Sequence, residues 1–152
     1  MRRKDKEITD RTEIDAIIEM APVCRIALAD GNTPYVVPVC FGYDGKSFYI
    51  HGAPEGRKME ILKTNPEACI EIDVHVEPMP SDKPCSWSMR YKSVIATGRA
   101  VFLEDVSSKR AALDIIMMHY TSGSARYQER AIESMALIKI PVETLTAKRS
   151  GF

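Results

Sequence analysis

Two Asp-Gly turns limit what this chain can fold into. Asp30-Gly31-Asn32 separates an alternating apolar run at 23–29 from a second at 33–41, and Tyr43-Asp44-Gly45-Lys46 separates that run from a third at 47–51. Asp-Gly between alternating strands favours tight hairpins, because glycine accepts the positive φ that these turns need. Three consecutive hairpin-linked strands imply antiparallel pairing rather than a parallel sheet.

Further strands are expected at 68–76, 91–103 and 135–145, giving about six in all. Gly98, inside the fifth, marks a bulge or a close backbone contact. Helices are expected at 8–21, with Asp10 or Thr12 as cap and Ile14, Ile17, Ile18 and Ala21 at helical spacing, at 108–120, and in a short polar stretch at 125–134. The intervening Ser122-Gly123-Ser124 reads as loop, and residues 77–90, with three prolines, as one long loop. The expected fold is mainly β with flanking helices, an antiparallel six-stranded barrel in one domain spanning 1–152.

The third strand leads into a charged helix. His51 ends the strand, Gly52-Ala53 turns the corner, and a helix is expected from Pro54 to just before Pro66. Arg57 and Lys58 stand near its start, where the helix dipole mildly disfavours cations. Two cations beside free N–H groups suit an anion, and phosphate is the obvious candidate. Two solvated surface charges explain the same residues about equally well. Pro38, in mid-strand, breaks a local rule: that strand must meet an edge, a bulge or a ligand.

Composition excludes several functions. Lys plus Arg number 21 and Asp plus Glu number 21, so the formal net charge is zero, which argues against a nucleic-acid footprint. A barrel binding single-stranded nucleic acid also lacks an aromatic and basic strand face. The basic run MRRKDK has no apolar segment behind it, and no stretch is long enough to span a bilayer, so neither a membrane nor a signal peptide is expected, and the location is read as cytoplasmic. Of the four cysteines, Cys24, Cys40 and Cys69 are expected as buried thiols and Cys85 near solvent. Glu71, Asp73 and His75 share one strand face, but residues spaced by two on a wet strand seldom ligate a metal, and none is expected. His119 and Tyr120 sit at a helix C-terminus and need no chemical role.

The segment VCRIALADGNTPYVVPVCFGYDGKSFYIHGAPEGRKMEILKTNP, followed by RYKSVIATGRAVFL, resembles the flavin-binding split-barrel group that includes pyridoxamine 5′-phosphate oxidase, nearest to the branch named for 5-nitroimidazole resistance. The resemblance covers about residues 12–148. It implies a homodimer of six-stranded split β-barrels with FMN at the interface, ahead of FAD or a deazaflavin. Arg57 and Lys58 hold the FMN phosphate on this view, and Val37, Pro38 and Val39 run along the ring system. His51 and Gly52 lie beside the ring, with His51 the catalytic candidate. Tyr91 and Ser93 add contacts, Arg25 is a weaker candidate for the phosphate cluster, and Trp87 is assigned to the open face of the flavin. The implied activity is FMN-dependent oxidoreduction of a small organic substrate, a nitroimidazole-type compound among them. The alternative is a non-catalytic flavin- or haem-binding protein. The chain ends in Ala147-Lys-Arg-Ser-Gly-Phe152, without the basic Arg-x-His-Asp-Arg motif of the oxidase branch, which argues against vitamin B6 chemistry.

Overall fold

The computed structural model describes residues 3–122 and 126–152. In chain order the elements are β1 (Glu7–Ile8), α1 (Arg11–Met20), β2 (Cys24–Asp30), β3 (Thr33–Val39), β4 (Phe41–Tyr43), β5 (Ser47–Gly52), α2 (Arg57–Thr64), β6 (Glu67–Met79), β7 (Ser88–Arg99), β8 (Val101–Leu103), α3 (Val106–Tyr120), α4 (Glu129–Ser134), β9 (Ala136–Pro141) and β10 (Thr144–Ser150). One sheet has the order β1-β10-β7-β6-β2-β3 and the other β4-β5-β9-β8, and every pairing is antiparallel.

Three long strand paths belong to both sheets. β3 runs on into β4 past Cys40, β7 into β8 past Ala100, and β9 into β10 past Val142 and Glu143. The ladder therefore closes on itself: β2 pairs with β3, β4 with β5, β5 with β9, β10 with β7, β7 with β6, and β6 with β2. Six strand paths make a split β-barrel, the antiparallel barrel that the alternation implied and the split form that the resemblance implied, but the strands expected at 33–41, 91–103 and 135–145 are each bent between two sheets. The bends are stitched by backbone bonds, Ala100 N–H to Pro66 O at 2.8 Å and Glu143 N–H to Thr97 O at 2.8 Å.

Inward-facing residues of every path fill the barrel. Cys24, Ile26 and Leu28 of β2 meet Phe41, Phe48, Ile50, Ile70, Ile72, Val94 and Ile138, and α1 covers one end with Ile14, Ile17 and Ile18. Asp10 caps α1 by accepting from Thr12 N–H at 3.1 Å. A smaller cluster of Tyr49, Ala112, Leu113, Ile116, Ile132 and Leu137 holds α3 and α4 against the second sheet.

Several expectations are corrected. α2 begins at Arg57 rather than Pro54, because Gly56, with φ 111°, is the N-cap residue. The loop expected at 77–90 is shorter: β6 extends to Met79 and β7 starts at Ser88, so that residues 80–87, with a 3₁₀ turn at Pro84–Ser86, connect the two strands. Pro78 fits there because β2 pairs β6 only near Glu71, so the outer edge of this arm is unpaired. Pro38 follows the same rule, since β3 is an edge strand of its sheet. Cys24 is buried and Cys85 exposed as expected, but Cys40 is exposed and Cys69 half-buried: Cys40 continues the outward set of Val36 and Pro38, and Cys69 points outward between the inward Ala68 and Ile70. The residues 147–150 expected as a tail continue β10. Of the loop expected at 122–124, Gly123 and Ser124 lie outside the described residues, as do Met1 and Arg2 of the basic run. The short helix expected from 125 starts at Glu129. No helix among the described residues is long and apolar enough to cross a membrane.

Candidate functional site

The site forms where β5 leaves the barrel and α2 begins. His51 and Gly52 are the last residues of β5, opposite Leu137 and Ala136 of β9. The corner at 53–56 then turns the chain back, and Gly56 sets the helix with a positive φ that a residue with a Cβ rarely adopts. No side chain caps α2, and its bonding starts with Met59 N–H to Gly56 O at 2.9 Å. The first N–H groups of the helix are thus left for an outside acceptor.

Lys58 folds back over Gly52. Its Nζ lies 3.5 Å from where a Cβ on Gly52 would be, and Met59 Cε lies 3.1 Å from the same point. The glycine leaves the space that this ammonium and methyl occupy. Lys58 is half-buried, and desolvation pulls its pKa below the usual lysine value. It has no hydrogen-bond or ion-pair partner among the described residues. A desolvated ammonium without a counter-charge is costly, and a bound anion relieves that cost. Arg57 is exposed, at 3.7 Å from Asp30 and with its guanidinium 5.2 Å from the Tyr35 ring centroid, so a loose pair and a ring hold it without consuming its fork of donors.

His51 reaches solvent, yet the surrounding atoms and then the Lys58 ammonium both push its pKa below 6.5. The imidazole is neutral at pH 7, with one N–H to donate and one lone pair to accept.

The remaining candidates lie on the barrel wall. Val37 and Val39 turn inward and pack on the core, while Pro38 faces out, paired with Arg25. Arg25 is not drawn to Arg57 and Lys58: it donates to Asp73 at 2.5 Å and to Glu71 at 3.2 Å. These two acids are the strand face considered for a metal, and Arg25 neutralises part of their charge. Ser93 is the cross-strand partner of Asp73, and Tyr91 pairs with Ser150 beneath the Lys148 ammonium. Cys24, the partner of Val39, is a buried thiol whose pKa burial pushes up to about 12, and it lies near Lys58, so the wall and the helix tip adjoin. Trp87 is 58% exposed at the end of the β6–β7 arm, its indole N–H donating to Ser81 O at 2.8 Å. Gly56, Asp30, Tyr35 and Met59 are not among the site residues expected from the sequence. Only Gly56 left a signal there, as a glycine just ahead of the two cations.

Residues 10–149 match the family described as pyridoxamine 5′-phosphate oxidase. The chain belongs to that family. Among solved structures of this kind, a candidate 5-nitroimidazole antibiotic resistance protein from Bacteroides thetaiotaomicron is 38% identical, with 93% of this chain and 85% of that one covered at a TM-score of 0.84. An FAD- and haem-binding protein from Mycobacterium smegmatis shares the fold at a TM-score of 0.87 and 19% identity, covering 97% of this chain and 74% of that one. An uncharacterized protein of Rhizobium meliloti is 24% identical over 92 residues, 60% of this chain and 54% of that protein. This member of the pyridoxamine 5′-phosphate oxidase family thus spans about half the length of that curated relative.

Proposed function

We propose that the protein binds FMN and works as a flavin-dependent oxidoreductase on a small organic substrate. The observation that carries this reading is the half-buried Lys58 ammonium, without a partner among the described residues, beside an uncapped helix tip and Arg57. That donor set suits a terminal phosphate, which FMN carries and riboflavin lacks. Flavin-binding relatives of the same fold add support. When bound, the flavin supplies the hydride and electron chemistry.

The chain's own residues do the rest. Arg57 offers a planar fork and Lys58 a point charge to the phosphate. Pro38 presents an outward surface with no N–H for a ring to pass along. His51, neutral at pH 7, holds an N–H toward a polar group of the substrate and passes a proton when that group is reduced. The likeness to a candidate 5-nitroimidazole resistance protein makes a nitroimidazole-type compound the first substrate to try.

The working unit is proposed to be a homodimer in the cytoplasm. The outer face of the large sheet sets Val36, Ala27, Cys69 and Thr97 in one cross-strand row and Pro38, Arg25, Glu71 and Ile95 in the next. Val36 is 60% exposed and Ile95 45%, two aliphatic side chains flanking the Arg25 ion pairs with Glu71 and Asp73, a face suited to a second copy.

The test is an absorption spectrum of the purified protein with mass spectrometry of the small molecule it releases, and then FMN titration. Converting Arg57 and Lys58 together to Ala is expected to weaken FMN at least about tenfold, roughly 1.4 kcal/mol. Unchanged affinity removes the assignment. The alternative, a non-catalytic flavin or haem carrier, predicts bound pigment without turnover of any reductant and substrate pair.

A further inference from the structure

A cleft opens away from the α2 corner, between the ends of α1 and α3. Glu19 of α1, Tyr43 of β4 and Ile115, Met118 and His119 of α3 line a space of about 320 Å³, within the range of small-molecule sites. Tyr43 pairs with Phe48 near the start of β5, and His51 stands about 10 Å further along that strand.

The walls are held in place by the fold itself. α3 lies flush on β4 because Gly42 has no side chain: a Cβ there would come within 2.6 Å of the Ile116 backbone nitrogen. The end of α3 is fastened to the turn after α1. His119 Nε2 donates to Ala21 O at 2.7 Å, the Tyr120 hydroxyl donates to Pro22 O at 3.1 Å, and Phe41 N–H donates to that hydroxyl at 3.0 Å. Arg11 donates to the Tyr43 hydroxyl and to Gly45 O, each at 2.5 Å. A cleft fixed in this way has little ordering left to lose when a guest enters.

The charge of the cleft is negative. The Glu19 carboxylate stands exposed at the rim, with no hydrogen-bond or ion-pair partner among the described residues. α1 ends at Met20 and α3 at Tyr120, so both helices line the cleft with their last turns, where the dipole is negative. The last turn of α1 holds no basic residue. Arg11, the cation that reaches Tyr43, is paired with Asp15 at 2.8 Å. The rest of the lining is aromatic, aliphatic and thioether, and Met118, 76% exposed, has a flexible side chain that can lie on a flat guest.

We propose that this cleft binds a small flat organic cation of the amidinium or aminoheteroaromatic class, its charged nitrogens on Glu19 and its ring against Tyr43 and Met118. A planar pair of N–H donors matches a carboxylate with two parallel hydrogen bonds. A tyrosine face and a thioether both attract a cationic ring. The site stands apart from the flavin reading, and binding there needs no flavin.

The experiment titrates the full, ¹⁵N-labelled chain by NMR with benzamidine, a flat cation, and with benzamide, its neutral isostere, each with and without FMN. Benzamidine is expected to bind with a dissociation constant below about 1 mM and to shift the amides of Glu19, Ile115 and Met118, equally in both conditions. Benzamide is expected to bind at least about fivefold more weakly. Glu19→Gln, an exposed change that keeps the side chain's shape, should weaken benzamidine about three- to tenfold and leave benzamide unaffected. Benzamide binding as tightly as benzamidine overturns the cation preference. Undiminished affinity in Glu19→Gln removes the carboxylate from the site. Shifts gathered elsewhere, at Glu71 and Asp73 for example, or displacement of benzamidine by FMN, overturn the cleft as a site of its own.

Discussion

Gly98 of β7 lies so close to Pro141 of β9 that an added Cβ would overlap the Pro141 carbonyl oxygen. The two residues mark the place where both bent strand paths cross: Glu143 N–H donates to Thr97 O beside it, and β7 gives way to β8 two residues later. Closure of the barrel depends on that approach. Gly98→Ala is expected to destabilise the fold by about 2–3 kcal/mol, the scale of overpacking against backbone that has no room to retreat. Urea unfolding followed by circular dichroism reads it as a lower midpoint at unchanged slope. A loss below about 0.5 kcal/mol would show that the β9–β10 bend yields easily.

Asp44 organises the second hairpin. It accepts from Lys46 N–H at 2.8 Å, Ser47 N–H at 2.7 Å and the Tyr49 hydroxyl at 2.8 Å. Burial pushes its carboxyl up, but these donors outweigh burial and leave it below the ordinary 3.8. A carboxyl lowered on folding stabilises above its unfolded value and loses that contribution as pH falls through the folded one. Asp44→Ala is therefore expected to cost about 1–2 kcal/mol near neutral pH, and the gap to wild type should narrow in melts at pH 3 and below. A gap that stays constant with pH assigns the loss to turn geometry alone.

Gly52 is expected to matter through space rather than flexibility. Gly52→Ala puts a methyl against Met59 Cε and the Lys58 ammonium, both of them mobile side-chain ends that can move aside. The fold should survive, with Lys58 displaced from the corner. FMN affinity is expected to fall about three- to tenfold, measured by flavin fluorescence quenching. Unchanged affinity in a folded Gly52→Ala protein means that the ammonium holds its ligand from elsewhere.

Ile95 tests the proposed dimer. It stands outward on β7 between Glu71 of β6 and Thr146 of β10. Ile95→Arg replaces an exposed aliphatic side chain of this face with a charge that has Glu71 as a carboxylate neighbour, so the monomer should remain folded. Light scattering is expected to show loss of the dimer at micromolar concentration. A mass unchanged from wild type moves the interface away from this face.

Much of the barrel was legible because period-two alternation and Asp-Gly turns act locally. Ile26, Ile50 and Ile72 announce their inward face from sequence alone. The bends at Cys40, Ala100 and Val142–Glu143 were not legible, since which sheet a strand half joins depends on partners far along the chain. Residues 77–90 hid a two-stranded arm because Pro78 and Pro80 read as breakers, and an unpaired edge that tolerates proline is visible only in three dimensions. At the site, the chemistry of Arg57, Lys58 and His51 was readable from residue type. Their arrangement was not: Pro54 masked the true helix start at Arg57, after the N-cap Gly56, and the fold-back of Lys58 onto Gly52 is a tertiary contact. Arg25 looked like a spare cation until Glu71 and Asp73 came beside it from β6.

His51 carries a last, pH-dependent expectation for the flavin-free protein. Its folded pKa lies below the ordinary 6.5, first because neighbouring atoms desolvate it and then because of Lys58. The unfolded chain therefore takes up this proton at higher pH than the folded one. Stability linked to His51 is complete above about pH 6.5 and is lost as pH falls through the window beneath it. His51→Gln has no such proton to take up. Thermal melts of wild type and His51→Gln should run parallel between pH 7 and 8, and wild type should fall away from the variant between about pH 6.5 and 5. Curves that stay parallel down to pH 5 would place His51 in ordinary solvent, free of the ammonium.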